Sequence, residues 1–365
     1  MILHGQVVEQ AVDLGLPPRH FVKQLVMTQS KAPLAMVRKR LSQRPPPVGE
    51  EQLDVDAIAA PSRAAVLLVH GYSQNRYAWH LPSRSLVNYL ACASYDVFNI
   101  DLRGHGRSDH LGAGLPERVD QFVQEDLPAA LDSIHRLSGF ERVFLIGHSL
   151  GGLCAYAVAA ERPAQVAGVV SIGSPYRFTA GTKLLAGLSE AFLLLDRTLG
   201  MPNIPVPARL YGRFVRVSQR VVNSRLYPVP LRGFRRGSME PEVLRQHMAL
   251  AMDQGSIETM RTLFTWAAES RASRSTTLFG LEQAFEELDL PLLVIAGSHD
   301  DLAPPASVRP GFERSTSTDK TYRELPFGHI DLLVGRDAPR LTWPLLERWL
   351  DRRSEALSRE ETSAA

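Results

Sequence analysis

The sequence predicts an α/β fold: a mostly parallel sheet flanked by helices, with an antiparallel hairpin ahead of it and a helical insertion. Three observations carry the prediction. Short uninterrupted apolar runs alternate with helical stretches between residues 65 and 172, as a doubly wound sheet requires. The runs Ala65–Val69, Tyr95–Ile100, Arg142–Ile146 and Val166–Ile172 lack the polar alternation of a half-exposed strand, so they fit strands buried on both faces. The pattern stops near Tyr176 and resumes at Pro291–Ala296, which leaves about 110 residues of Pro- and Arg-containing helical stretches between.

The elements follow in order. Residues 1–18 carry no clear period, and a short helix ending at Pro17-Pro18 is the reading they allow. His20–Gln29 alternates apolar and polar residues, Ser30–Pro33 is a turn, and Leu34–Leu41 returns, giving an antiparallel hairpin at a sheet edge. Residues 44–62 read as a loop. Helices are expected over Arg84–Ala93, Leu127–Leu137 (with Pro128 in its first turn) and Leu153–Ala160, with Gly139 as a helix C′ residue. After the insertion come strands Pro291–Ala296 and Thr321–Leu325 and a helix, Ala338–Trp349. The organisation is a core of residues 19–175 and 287–350, a cap over 176–286, and a frayed tail over 351–365.

Composition excludes several classes. At 365 residues with 44% hydrophobic and 22% charged residues, the chain is neither disordered nor collagen-like. No uncharged apolar run approaches the ~20 residues of a membrane span. The beginning, Met1-Ile2-Leu3-His4-Gly5, lacks the pattern of a secretory signal, so a cytoplasmic location is expected. Cys92 and Cys154 offer no disulfide framework and no metal-ligand spacing. The formal charge of +2 is a cancellation. Nine Arg and no acid or Lys lie between Arg197 and Met239, so the remainder is net negative.

The chemistry centres on Gly147-His148-Ser149-Leu150-Gly151. A buried strand precedes it and a small-residue helix follows, the context in which G-x-S-x-G lifts a serine out of the sheet on a strained reversal. Only small flanking residues let strand and helix pass that closely. The helix N-terminus behind the serine favours developing negative charge. A serine hydroxyl needs a base to remove its proton. The acid is expected after a late strand, and Gly297-Ser298-His299-Asp300-Asp301 follows Pro291–Ala296. Asp300 is the choice and Asp301 the adjacent rival. The base is expected after the last strand, where Phe327-Gly328-His329-Ile330-Asp331 places His329. His148 and His299 are read as structural or supporting, and His105 as ordering its loop. The oxyanion needs two N–H donors. Leu150, directly after the serine, and Tyr72, in the loop His70-Gly71-Tyr72, are assigned to it, with His70 fixing the loop.

Leu67-Leu68-Val69-His70-Gly71, Asp101-Leu102-Arg103-Gly104-His105-Gly106-Arg107-Ser108, Gly147–Gly152, Gly297-x-x-Asp300 and Gly328-His329 occur together and in order. In this the sequence resembles the α/β-hydrolase superfamily over residues 19–175 and 287–350. The resemblance implies the α/β-hydrolase fold, a Ser149–Asp300–His329 triad and no obligatory cofactor. The hairpin with Val26-Met27-Thr28 and the ending Phe327–Gly335 look like acid lipases and polyester synthases. Polyester synthases carry Cys where this chain has Ser149, and haloalkane dehalogenases and epoxide hydrolases carry Asp there. A serine hydrolase of a small-molecule or lipid ester is therefore expected. An acyltransferase on the same acyl-enzyme and a non-catalytic binding protein of this fold are the alternatives.

Two stretches of the insertion stand out. Leu184, Leu188, Phe192, Leu195 and Leu199 recur on one helical face, widened by Leu185, Leu193 and Leu194. Packing onto the core is the first reading and an acyl-binding wall the functional one. Arg209, Arg213, Arg216 and Arg220 recur likewise among Leu210, Phe214, Val217 and Val221. That basic amphipathic face suits pairing with core acids, or contact with an anionic membrane surface. No nucleic-acid motif accompanies it, so nucleic acid is not an expected partner.

Overall fold

The computed structural model describes residues 1–46, 54–178, 183–218, 233–272 and 278–364, with side chains at all of these but 183–184 and 358–364. In chain order the strands are β1 (Ile2–Gln10), β2 (Arg19–Met27), β3 (Ala35–Leu41), β4 (Ala65–Val69), β5 (Asp96–Ile100), β6 (Val143–His148), β7 (Val166–Ile172), β8 (Pro205–Val206), β9 (Gly255–Ser256), β10 (Leu292–Gly297) and β11 (Lys320–Leu325). Nine of them form one sheet in the order β1-β2-β3-β5-β4-β6-β7-β10-β11. The six from β5 to β11 run parallel, whereas β1, β2 and β3 join antiparallel to one another and to β5. β8 and β9 make a separate small pair, too short to leave a sequence signal.

Every residue of β4, β5, β6, β7 and β10 is buried. Their side chains still alternate between two cores. Val66 and Leu68 pack on one face of the sheet, and Ala65, Leu67 and Val69 on the other. At ~1.5–3 kcal/mol for each large apolar side chain buried, this ladder holds the centre of the fold. Helices α1 (Leu86–Cys92), α2 (Leu127–Ser138) and α3 (Leu150–Glu161) cover the sheet. Ser85 caps α1 by accepting the Asn88 N–H at 3.0 Å, and Gly139 ends α2 at a φ of 77°. The segment 176–286 contributes α4 (Lys183–Leu199), α5 (Ala208–Val217), α6 (Pro241–Gln246) and α7 (Ile257–Arg271). The chain then closes with α8 (Ala338–Ala364).

Four expectations are corrected. Residues 2–10 form a strand, not a helix. No side chain of β1 is buried, so its sequence has no apolar period to read, and pairing with β2 holds it. The predicted hairpin is therefore not at the edge: β1 lies outside it and β3 is joined to β5. Residue 351 onward continues α8 as helix through Ala364. In α4 the periodic stripe faces outward at Leu188, Leu195 and Leu199 and inward only at the half-buried Phe192, among its described side chains. Leu188, Leu194, Leu195 and Leu199 are exposed, while Leu193 and the polar Ser189 and Asp196 are buried. Arg220 and Val221 lie outside the described residues.

Candidate active site

β6 ends at His148 and α3 begins at Leu150, so one residue makes the reversal between them. That residue, Ser149, sits at φ 53° and ψ −121°, a region L-residues avoid and one that costs ~1–3 kcal/mol to hold. The surroundings enforce it. A side chain on Gly147 would strike the Gly151 carbonyl, one on Gly151 would lie 2.6 Å from the His70 carbonyl, and one on Gly152 would meet Ser174. The Ser149 N–H donates to the Ile172 carbonyl at 3.0 Å, which pins the elbow to β7.

His329 enters from the loop after β11, and Asp300 from the loop after β10. The imidazole Nδ1 lies 2.7 Å from Asp300 Oδ2, and both groups are buried. Asp300 Oδ1 accepts the Leu302 and Ala303 N–H groups at 2.9 and 2.8 Å, so its own turn orients the carboxylate. Burial opposes charging His329, but the Asp300 carboxylate outweighs it and holds the imidazole above its ordinary value. Nδ1–H therefore faces the carboxylate, which leaves Nε2 as the ring's free lone pair. Asp300 makes this bond. The neighbouring Asp301 acts on the ring only through its charge.

The loop after β4 supplies the third side. His70 Nε2 accepts the Leu102 N–H at 3.1 Å, so its Nδ1 carries the proton and donates to the Gly71 carbonyl at 2.9 Å. Full burial, with His105 adding to it, pushes His70 down to about 3, so it stays a neutral clamp. Gly71 has no room for a side chain: one would lie 3.0 Å from Ser149 Cβ. Tyr72 and Leu150 both border the cavity in front of Ser149. Leu150 opens α3, where no intrahelical acceptor exists for its N–H.

That cavity has a volume of about 460 Å³ and also carries His329 on its wall. The rest of the wall is mostly apolar, Gln74, Ser189 and Arg271 excepted, and comes mostly from the segment 176–286, with Leu185, Tyr211, Met248, Met252, Leu263 and Phe264. Leu185 is the only described member of the expected α4 stripe that reaches it.

The remaining histidines separate cleanly. His148 is buried behind His329, ring centroids 4.5 Å apart, with Nε2 3.2 Å from the His329 carbonyl and Nδ1 3.3 Å from Gln74. Burial, then the neighbouring His329, keep it well below its ordinary value, so it positions and does not titrate. His105 bonds the Arg103 carbonyl at 2.8 Å within its loop, and His299 is exposed beside Ser298. No local pattern in the sequence points to Gln74 or Asp253. Asp253 is fully buried and accepts from Arg209 of α5, Asn75 and the Gly106 N–H, tying the helical segment to two core loops.

Comparison with known proteins places this geometry in a lineage. The poly(3-hydroxyalkanoate) polymerase subunit PhaC of Haloferax mediterranei is 25% identical over 308 residues, covering 80% of this chain and 59% of that one. Epoxide hydrolase B of Mycobacterium tuberculosis is 36% identical over 111 residues, 30% of this chain and 29% of its own length. The chain thus spans less than two thirds of these curated relatives. The crystal structure of Paleococcus ferrophilus monoacylglycerol lipase superimposes with a TM-score of 0.54 at 23% identity, covering 80% of this chain and 96% of that one, a likeness of fold. The profile of the α/β hydrolase fold family matches residues 64–336, three quarters of the chain, and the chain belongs to that family.

Proposed function

We propose that this protein is a serine hydrolase of a carboxylic ester with an apolar acyl group, working through an acyl-enzyme. The observation that carries the reading is Ser149 on its strained elbow beside His329 and Asp300, at the floor of an apolar cavity. Ser149 Oγ attacks the carbonyl carbon while His329 Nε2 takes its proton. The Tyr72 and Leu150 N–H groups hold the oxyanion, each such donor contributing ~3–4 kcal/mol. The ester C–O bond then breaks as His329 returns the proton to the departing alcohol. Water, deprotonated by His329, attacks the acyl-enzyme and releases the acid and Ser149. Asp300 keeps the imidazole in the required tautomer and offsets its positive charge. The residues 176–286 act as a cap whose apolar wall receives the acyl chain.

The test is wild type beside Ser149→Ala, with p-nitrophenyl esters and a fluorophosphonate probe. Labelling and hydrolysis in wild type alone are expected. Equal labelling of both with an unchanged rate overturns the mechanism.

Similarity to PhaC polymerases over 308 residues favours a second reading, acyl transfer from the same acyl-enzyme. Transester product formed faster than acid, with excess acceptor alcohol, would select it. Ser149 in place of Asp argues against epoxide opening by the route of the epoxide hydrolases. The cap also supports peripheral contact with an anionic membrane surface. Leu188, Leu194, Leu195, Leu199, Leu210, Phe214 and Val217 are exposed there, among arginines. No described helix is long and apolar enough to cross a membrane. Equal flotation with anionic and neutral vesicles would remove the membrane contact.

A further inference from the structure

Between α5 and the core lies a second, open cavity of about 800 Å³. Five arginines line it: Arg76 and Arg107 from core loops, and Arg209, Arg213 and Arg216 from successive turns of α5. Two of them are neutralised in place. Arg76 pairs with the buried Asp101, and Arg209 with the buried Asp253. Those carboxylates have little left to offer. Asp101 also accepts the Arg76 and Arg107 N–H groups, and Asp253 also accepts from Asn75 and the Gly106 N–H.

Arg107, Arg213 and Arg216 are exposed, and none has a carboxylate partner among the described residues. Among the described residues, the cleft therefore holds three guanidinium groups without a carboxylate partner around one concavity. Lys23 on β2 feels the same imbalance: burial first, then Arg76 and Arg107, lower its ammonium below the ordinary value. Like charges gathered this way raise the local concentration of anions and repel one another until one binds. Guanidinium forks match the oxygens of phosphate in pairs, and three of them suit a group with more charge than one carboxylate.

Position gives the cleft a purpose. Met248 and Met252 line both it and the cavity in front of Ser149. The two cavities therefore share these methionines as a common wall, and the arginine cleft lies beside the cavity that would hold an ester's acyl chain. We propose that the cleft binds a phosphate group borne on the alcohol side of the ester that Ser149 cleaves. The choice of substrate rests on the ester-hydrolase reading above, whereas the anion site stands on the arginines alone. The phosphate can belong to a soluble ester or to a headgroup in a bilayer.

The experiment compares wild type with Arg213→Gln/Arg216→Gln, exposed positions with no carboxylate partner among the described residues, and circular dichroism verifies that the variant is folded. In the binding arm, inorganic pyrophosphate is titrated by calorimetry, and flotation is measured with phosphatidylglycerol and phosphatidylcholine vesicles. A soluble source predicts pyrophosphate binding that weakens about tenfold or more in the variant and falls with added salt. A bilayer source predicts variant-sensitive binding to phosphatidylglycerol vesicles only. Neither ligand responding to the substitution overturns the anion site. In the kinetic arm, kcat/KM is measured for a neutral ester and for the same acyl group on a phosphate-bearing alcohol. The preference for the phosphorylated ester is expected to drop about tenfold in the variant. An unchanged preference overturns the substrate assignment. If wild type hydrolyses neither ester, the hydrolase reading has failed, and the binding arm alone decides the cleft.

Discussion

Asp300→Asn isolates the part of the site that the geometry specifies most tightly. The carboxylate's Oδ1 accepts two backbone N–H groups, from Leu302 and Ala303, and its Oδ2 faces His329 Nδ1 at 2.7 Å. An asparagine must choose. Keeping its oxygen on the two amides turns its NH2 group toward His329, where donor meets donor. The alternative flip leaves two buried amides unpaired, at ~1–3 kcal/mol each. The amides win, so the imidazole is driven to carry its proton on Nε2 and can no longer accept one from Ser149. The equivalent substitution in serine triads lowers kcat about 10⁴-fold, which corresponds to ~5.5 kcal/mol of lost transition-state stabilisation. The assay is kcat/KM on a p-nitrophenyl ester at pH 8, with circular dichroism to verify folding. Asp301→Asn, which takes one charge from the neighbourhood of the ring, is the control and is expected to cost less than about tenfold. Retention of activity by Asp300→Asn, with loss in Asp301→Asn, would refute the assignment and move the acid to its neighbour.

Gly151→Ala drives a methyl group into the Val69 and His70 carbonyls and should cost about 3 kcal/mol or more, whereas Gly187→Ala, in α4 with nothing nearby, should stabilise by ~0.5–1 kcal/mol; thermal melts of the two proteins check the contrast. Because Asp300 holds His329 above its ordinary value, and the base must be neutral, kcat/KM should fall with pH along an acid limb centred above 6.5; a limb well below that value contradicts the pairing. Within the 460 Å³ cavity each added acyl methylene should raise kcat/KM up to about fourfold until the space is filled, so a C2 to C16 ester series should rise and then break. A series flat from its first member would deny the cavity its role. Burial, offset only partly by the Arg235 and Gly328 N–H groups, pushes the Asp331 carboxyl up to about 6. The folded chain thus holds this proton more tightly than the unfolded chain. The stability it lends is complete below about pH 4 and is lost as pH rises through 6. Asp331→Asn should therefore gain on wild type by up to ~3 kcal/mol between pH 4 and pH 7, and a pH-independent difference in melting would contradict it.

What could be read from the residues follows burial. β4 and β7 were legible because both faces of each strand are covered, so every position is apolar and the run stands out. The elbow was legible because its glycines are forced: Gly147, Gly151 and Gly152 each face an atom that no side chain could share space with. Asp300 could be chosen over Asp301 only by position, and the 2.7 Å bond to His329 is what separates them. β1 was illegible because it buries nothing, and Asp253 because a buried carboxylate joining three segments has no local pattern.

α4 differs, because its period is legible in the residues and its direction is not. Spacings of three and four identify a stripe along a helix but do not say which way the stripe faces. Here the inward face carries Leu185, Leu193 and Phe192, the last against Phe264, and also two polar groups that are paired: Ser189 accepts from Arg271 at 3.2 Å, and Asp196 pairs with Arg261 at 2.6 Å. Those ion pairs and hydrogen bonds fix the helix one way round and leave Leu188, Leu195 and Leu199 in water. A row of exposed leucines is a departure from ordinary packing. A sequence that departs from its own best packing at one place marks that place as functional. The exposed leucines of α4 belong to the surface proposed above for membrane contact, so the departure falls where a partner outside the chain is proposed to bind.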